Sequence, residues 1–139
     1  MTEQEVRENG HPPIAEGVVC VDFDGTLHPW VGMFDYPEPI EGGPEFMRGL
    51  KAKGYTVVIF TSRLSMRWLM SHYGGSLAAA NNGRRAHLLY ITDWCNRHDI
   101  PFDDITAEKI PAIAYIDDKA IGFDGNWEET SIDFYGGLA

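Results

Sequence analysis

The sequence predicts a three-layer α/β sandwich built on a mainly parallel sheet, and two observations carry that expectation. The first is a pair of apolar, β-favouring runs that lead straight into carboxylates. Val18-Val19-Cys20-Val21 runs into Asp22, and Ala114-Tyr115-Ile116 runs into Asp117-Asp118. Unbroken apolar runs suit strands covered on both faces, as parallel strands are. The second is that such runs alternate along the chain with segments of helical periodicity, which implies right-handed βαβ units.

The elements follow in order. Residues 1–16 are polar, contain His11-Pro12-Pro13 and read as a loose tail, leaving 17–139 as a single domain. Val18 to Phe23 is the first strand. Residues 28–43 hold Pro29, Pro37 and Pro39 with several glycines and aromatics, so they read as a flap. Pro44 to Lys53 is a helix: proline suits its first turn, Phe46 and Leu50 share a face, and Gly54 supplies the stop. Tyr55 to Phe60 is the second strand, ending in Thr61-Ser62-Arg63. Leu64 to Tyr73 is helical by its Leu64/Trp68 spacing, and Gly74-Gly75 breaks it. Asn81-Asn82-Gly83 marks a turn, after which Arg84 to His98 forms a helix with Leu88, Ile91 and Cys95 on one stripe. Phe102 to Thr106 reads as a short edge strand, Ala112 to Ile116 as the third strong strand, and Ala120 to Phe123 as a further short one.

Composition sets bounds on function. A chain of 139 residues with 44% hydrophobic and 12% aromatic side chains can bury a core of its own. A net charge of −10 argues against an extended nucleic-acid tract, which needs clustered Lys and Arg. It leaves room for a small anionic substrate, because a bound metal reverses the charge locally. Cys20 and Cys95 lack metal-binding spacing and read as small buried apolar residues. No run reaches the roughly 18 apolar residues of a membrane span, and residues 1–10 lack the apolar segment of a signal peptide. A cytoplasmic location is expected.

The acidic clusters carry the chemistry. Ligand sites in parallel sheets gather at the carboxyl ends of strands, so Asp22, Asp24, Asp117 and Asp118 should meet in one crevice. Carboxylates at such spacing stay ionised cheaply only beside a cation. Oxygen-only ligands favour magnesium over zinc. In Asp22-x-Asp24-Gly25-Thr26, one carboxylate is a candidate nucleophile and the other a proton donor and acceptor, and aspartate is a competent nucleophile for phosphorus. Gly25 permits a sharp departure from the strand, with amides beyond it positioned to hold an anion. A calcium EF-hand is excluded by the valine-rich strand in front and by glycine at loop position four.

Asp22-Phe23-Asp24-Gly25-Thr26-Leu27 resembles motif I of the haloacid dehalogenase (HAD) superfamily. Val57-Val58-Ile59-Phe60-Thr61 resembles its second motif, Lys109 its basic third motif, and Ile116-Asp117-Asp118 its acidic fourth, all in family order. The spelling Tyr115-Ile116-Asp117-Asp118-Lys119-Ala120-Ile121 is also similar to small HAD proteins of bacteria and phages. The resemblance implies a Rossmann-like fold and a magnesium-dependent phosphohydrolase. Asp22 would attack phosphorus and bind the metal. Asp24 would protonate the leaving group and then activate water, with its main-chain carbonyl on the metal. Thr61 would bond a phosphoryl oxygen, Lys109 would neutralise the charge shared by Asp22 and the phosphate, and Asp117 would ligate magnesium, with Asp118 doing so directly or through water. Too few residues lie between the motifs for a cap domain, so the resemblance is to a capless member.

Several roles have two readings at this point. Ser62 competes with Thr61, and Lys119 with Lys109. Asp118 either binds metal or bonds backbone amides. Arg63 either reaches substrate or sits exposed at a helix start, and His28 with Trp30 either meets substrate or packs the flap. Gly25, Thr26, Ser62, Arg63 and His28 form the expected substrate-binding set. The expected partner is a phosphorylated substrate, either a small molecule or the terminal phosphate of a larger one, as in polynucleotide end-processing. A non-catalytic metal-binding interaction module is the reading from another class. Exposed flap aromatics (Trp30, Phe34, Tyr36) would suit a homo-oligomer contact.

Overall fold

A computed structural model describes residues 17–31 and 37–136. The expected tail and the flap aromatics Phe34 and Tyr36 lie outside the described residues. Four strands form an all-parallel sheet in the order β3-β2-β1-β4, with β1 at Val18–Asp22, β2 at Thr56–Phe60, β3 at Asp104–Thr106 and β4 at Ala114–Ile116. Among the described residues four α-helices accompany them: α1 Gly43–Ala52, α2 Met66–His72, α3 Leu77–Arg97 and α4 Trp127–Gly136. The fold is therefore α/β and compatible with a Rossmann-like arrangement. Among the described residues, no helix is long and apolar enough to cross a membrane.

The central strands β1 and β2 are buried through most of their length, as their valine- and isoleucine-rich sequences require. One sheet face carries the main core. Val19, Val21, Val57 and Ile59 meet Met47 of α1 and Ile91, Trp94 and Cys95 of α3. Trp94 is fully buried, so truncating it to alanine should cost about 3–5 kcal/mol. The other face is a smaller cluster of Val18, Cys20 and Val58, bordered by Phe60, Ile110, Ala112 and Tyr115. Among the described residues no helix residue contributes to that second cluster. The short connection from β3 to β4 crosses the sheet without a helix, and its Ile110 and Ala112 pack against this face. Both cysteines are free and buried, as expected.

Three local expectations need correction. Asn81-Asn82-Gly83 is not a turn, because α3 runs unbroken through it. The Ser76 hydroxyl caps the helix by accepting from the Ala79 amide at 3.2 Å. Gly83 serves packing instead: a Cβ there would stand 2.6 Å from the Tyr73 ring, so glycine lets Tyr73 lie against the helix. The segment 120–123 is not a strand. On α1 the buried residue is Met47, whereas Phe46 is exposed, so the inward face is shifted by one position. Helix α4 was not anticipated and buries none of its residues.

Candidate functional site

Strand register brings the two acidic clusters together. Val21 pairs with Ile116 across β1 and β4, so the next residues, Asp22 and Asp117, leave adjacent strands side by side. One carboxylate oxygen each from Asp22, Asp117 and Asp118 lies within 4.8 Å of the other two. Gly25 makes this approach possible. Its φ is +82°, and a Cβ on it would stand 2.5 Å from the Asp118 Oδ2. Only glycine meets both demands at low cost.

Crowding shows in the protonation of Asp22. Its carboxyl is pushed up to about 7, first by burial, then by the Asp117 charge and by a hydrogen bond with Asp118, against a modest opposing bond from the Phe23 amide. A group of this kind either keeps a proton or takes up a cation. All three residues offer only oxygen, at a spacing one ion can bridge, which suits magnesium or calcium rather than a thiophilic metal. Thr26 Oγ1 donates to Asp22 Oδ2 at a long 3.4 Å. The Asp117 carboxylate accepts from the Lys119 amide at 2.8 Å, closing a turn that holds the acidic pair at the strand end.

Asp24 has gone elsewhere. The chain leaves the strand after Asp22, and the Asp24 carboxylate accepts a two-pronged bond from Arg63, 2.8 Å from Nε and 2.6 Å from Nη2. Its side chain therefore lies outside the three-carboxylate group, although the sequence placed all four acids in one crevice. Arg63 is buried beneath Phe23 and Tyr90, with its guanidinium 5.3 and 5.5 Å from their ring centres, rather than exposed at a helix start. Thr61 is buried at the end of β2, where its hydroxyl accepts from the Arg63 amide at 3.2 Å. Ser62 is exposed beside it.

Other expectations fail on geometry. His28 is fully buried and stacked 4.7 Å from Phe23. Its Nδ1 meets the Pro29 carbonyl at 2.7 Å and its Nε2 the Tyr90 hydroxyl at 2.9 Å, so it braces the flap instead of meeting substrate. Nδ1 donating to that carbonyl leaves Nε2 to accept from Tyr90. Burial lowers its pKa and favours this neutral ring. The amides expected to cradle an anion are also spent: Gly25 donates to the His28 carbonyl, and Thr26, Leu27 and His28 all donate to that of Phe23. Lys109 is exposed, its ammonium 5.7 Å from the Tyr115 ring centre, and no ion pair among the described residues joins it to Asp22. The Tyr115 hydroxyl donates to the Ile110 carbonyl and fixes that loop. Lys119 places its ammonium 4.9 Å from the Trp30 ring centre.

The site has a second half that sequence reading missed. A cavity of about 300 Å³ opens beside the Asp24–Arg63 pair, with Trp30, Trp68 and His87 in its wall. Trp68 is 44% exposed, whereas the neighbouring Leu69 is buried. Comparisons with protein-family models, with curated proteins and with solved structures gave no match to this chain.

Proposed function

We propose that this chain is a capless HAD-type phosphohydrolase, magnesium-dependent and cytoplasmic, acting through a phosphorylated Asp22. The observation that supports it most is the meeting of Asp22, Asp117 and Asp118 at the ends of adjacent strands, from motifs nearly a hundred residues apart that resemble HAD motifs in both spelling and order. Asp22, Asp117 and Asp118 would hold the ion, with the Asp24 main-chain carbonyl as a further donor. When bound, magnesium offsets the repulsion between these acids and a phosphoryl group and makes phosphorus a better electrophile.

The chain's own groups divide the remaining work. Asp22 forms a bond to phosphorus as the ester P–O bond breaks. Asp24 gives a proton to the departing oxygen. It then takes one from the water that attacks the phosphoryl group, which frees Asp22 and releases phosphate. For this Asp24 must give up at least one of its bonds to Arg63, so Arg63 sets where the carboxyl points. The Thr61 hydroxyl accepts from a backbone amide and keeps its own proton for a phosphoryl oxygen.

The test is hydrolysis of a broad phosphate-ester panel with magnesium, expected in the wild type and absent in Asp22→Asn. The remoteness of Lys109 and the engagement of Asp24 favour one competing reading, a metal-binding module without catalysis. Magnesium binding with no turnover across the panel would establish that reading and overturn ours.

A further inference from the structure

We propose that the cavity between Trp30 and Trp68 receives the leaving group of the phosphate ester, and that this group carries a flat heteroaromatic ring. The inference rests on the phosphohydrolase reading for the words "leaving group", while ring binding stands on the cavity alone.

Position argues first. Asp24 lines the cavity, and Asp22 lies two residues away at the strand end. A carboxyl that protonates the departing oxygen must stand on that oxygen's side, so the space walled by Asp24 is where the rest of the ester extends. The Arg63 fork neutralises Asp24, so the floor does not repel an anionic ester.

The lining argues for the ring. Two tryptophans are left substantially exposed at the rim, each with a neighbour on its ring. Trp68 stacks on His72 with centroids 5.3 Å apart and an interplanar angle of 15°, and Trp30 lies under the Lys119 ammonium. Exposed indole faces offer a planar ligand a stacking surface at low cost in conformational freedom, since tryptophan has two side-chain torsions. His87 supplies the polar contact. It is only 3% exposed, lines the cavity, and hydrogen-bonds to none of the described residues. A neutral imidazole offers one donor and one acceptor, and because no buried side-chain nitrogen among the described residues lacks a partner, the unbonded ring nitrogens of His87 remain open to solvent and free to meet a ligand. The edge of a heteroaromatic ring can meet one of these nitrogens while its face lies against an indole, a combination that an alkyl group or a ringless polyol does not offer. The volume is at the lower end for small-molecule sites, so the cavity suits a single ring system.

The experiment titrates the full-length protein with a nucleoside, with phenol and with glycerol, following tryptophan fluorescence. It then compares turnover of a nucleoside monophosphate, phenyl phosphate and glycerol phosphate with magnesium. The proposal expects the nucleoside to quench and to bind tightest, with roughly tenfold weaker binding in Trp68→Ala. His87→Phe keeps an aromatic wall but lacks the polar edge, so it should erase the nucleoside's advantage over phenol. The kcat/KM ratio of ringed to ringless esters should fall toward one in Trp68→Ala. Absence of nucleoside binding, or equal binding in the wild type and Trp68→Ala, would overturn the proposal even in an active phosphatase. Nucleoside binding lost in Trp68→Ala, with no ester hydrolysed by the wild type, would sink the phosphohydrolase reading, and with it the words "leaving group", while upholding ring binding.

Discussion

Asp22 and Asp24 are two residues apart and occupy opposite electrostatic situations. Asp22 faces two further carboxylates and has no cationic side chain paired with it among the described residues, and its carboxyl is pushed up to about 7. Asp24 holds both prongs of a buried arginine. One half of the site therefore carries negative charge with no cation of the chain beside it, where our proposal puts a metal ion; the other carries its cation within the chain. A single spelling, Asp-x-Asp, thus produces two carboxyl groups suited to different tasks because the backbone turns between them.

The largest effect should come from removing the Asp22 oxygen. Asp22→Asn should lower kcat for any hydrolysed ester on the order of 10³-fold or more, measured in single-substrate assays with magnesium. Loss of less than tenfold would show that Asp22 is not the nucleophile. On the other half, Arg63→Ala leaves the mostly buried Asp24 carboxylate without its partner. That should cost about 2–4 kcal/mol in urea unfolding, below the full cost of breaking a buried pair because Asp24 retains some exposure. A near-neutral change would mean that the pair contributes nothing to the fold.

A smaller effect should follow Gly25→Ala, which sets a Cβ against Asp118 at positive φ. About 1–2 kcal/mol of stability and a several-fold loss of magnesium affinity are expected, read by thermal melts with and without the ion. Unchanged affinity would separate Gly25 from the acidic group.

The subtlest test is pH. Because the folded Asp22 carboxyl titrates near 7 and an unfolded aspartate near 4, the metal-free fold binds the extra proton between those values. Stability should therefore fall as pH rises through that window. His28 and His87, whose pKa values burial lowers, oppose this over the upper part of the window. The informative quantity is thus the difference between wild type and Asp22→Asn, which should grow with pH in the absence of metal and shrink when magnesium is added.

Much of this arrangement was legible in the sequence where interactions are local or periodic. The runs before Asp22 and Asp117 specify β1 and β4, and parallel pairing then forces their ends together. Three features were hidden because they depend on distant partners. Gly83 looks like a turn residue until Tyr73 is seen against it. Arg63 and Asp24 are 39 positions apart, and nothing in either neighbourhood announces their pairing. Spacing from Leu64 marks Trp68 as helical but not as part of a cavity wall, since periodicity fixes a face only to within about one position. Lys109 illustrates the reverse: it stands where the resembled motif order would put a basic residue, yet its ammonium lies over Tyr115.

Calorimetric titration of magnesium into the metal-free protein near pH 7 tests the central claim most directly. One ion per chain should bind with proton release, and affinity should drop at least tenfold in both Asp22→Asn and Asp117→Asn. Failure of the wild type to bind magnesium, or binding that survives both substitutions unchanged, would contradict a shared ion at these strand ends.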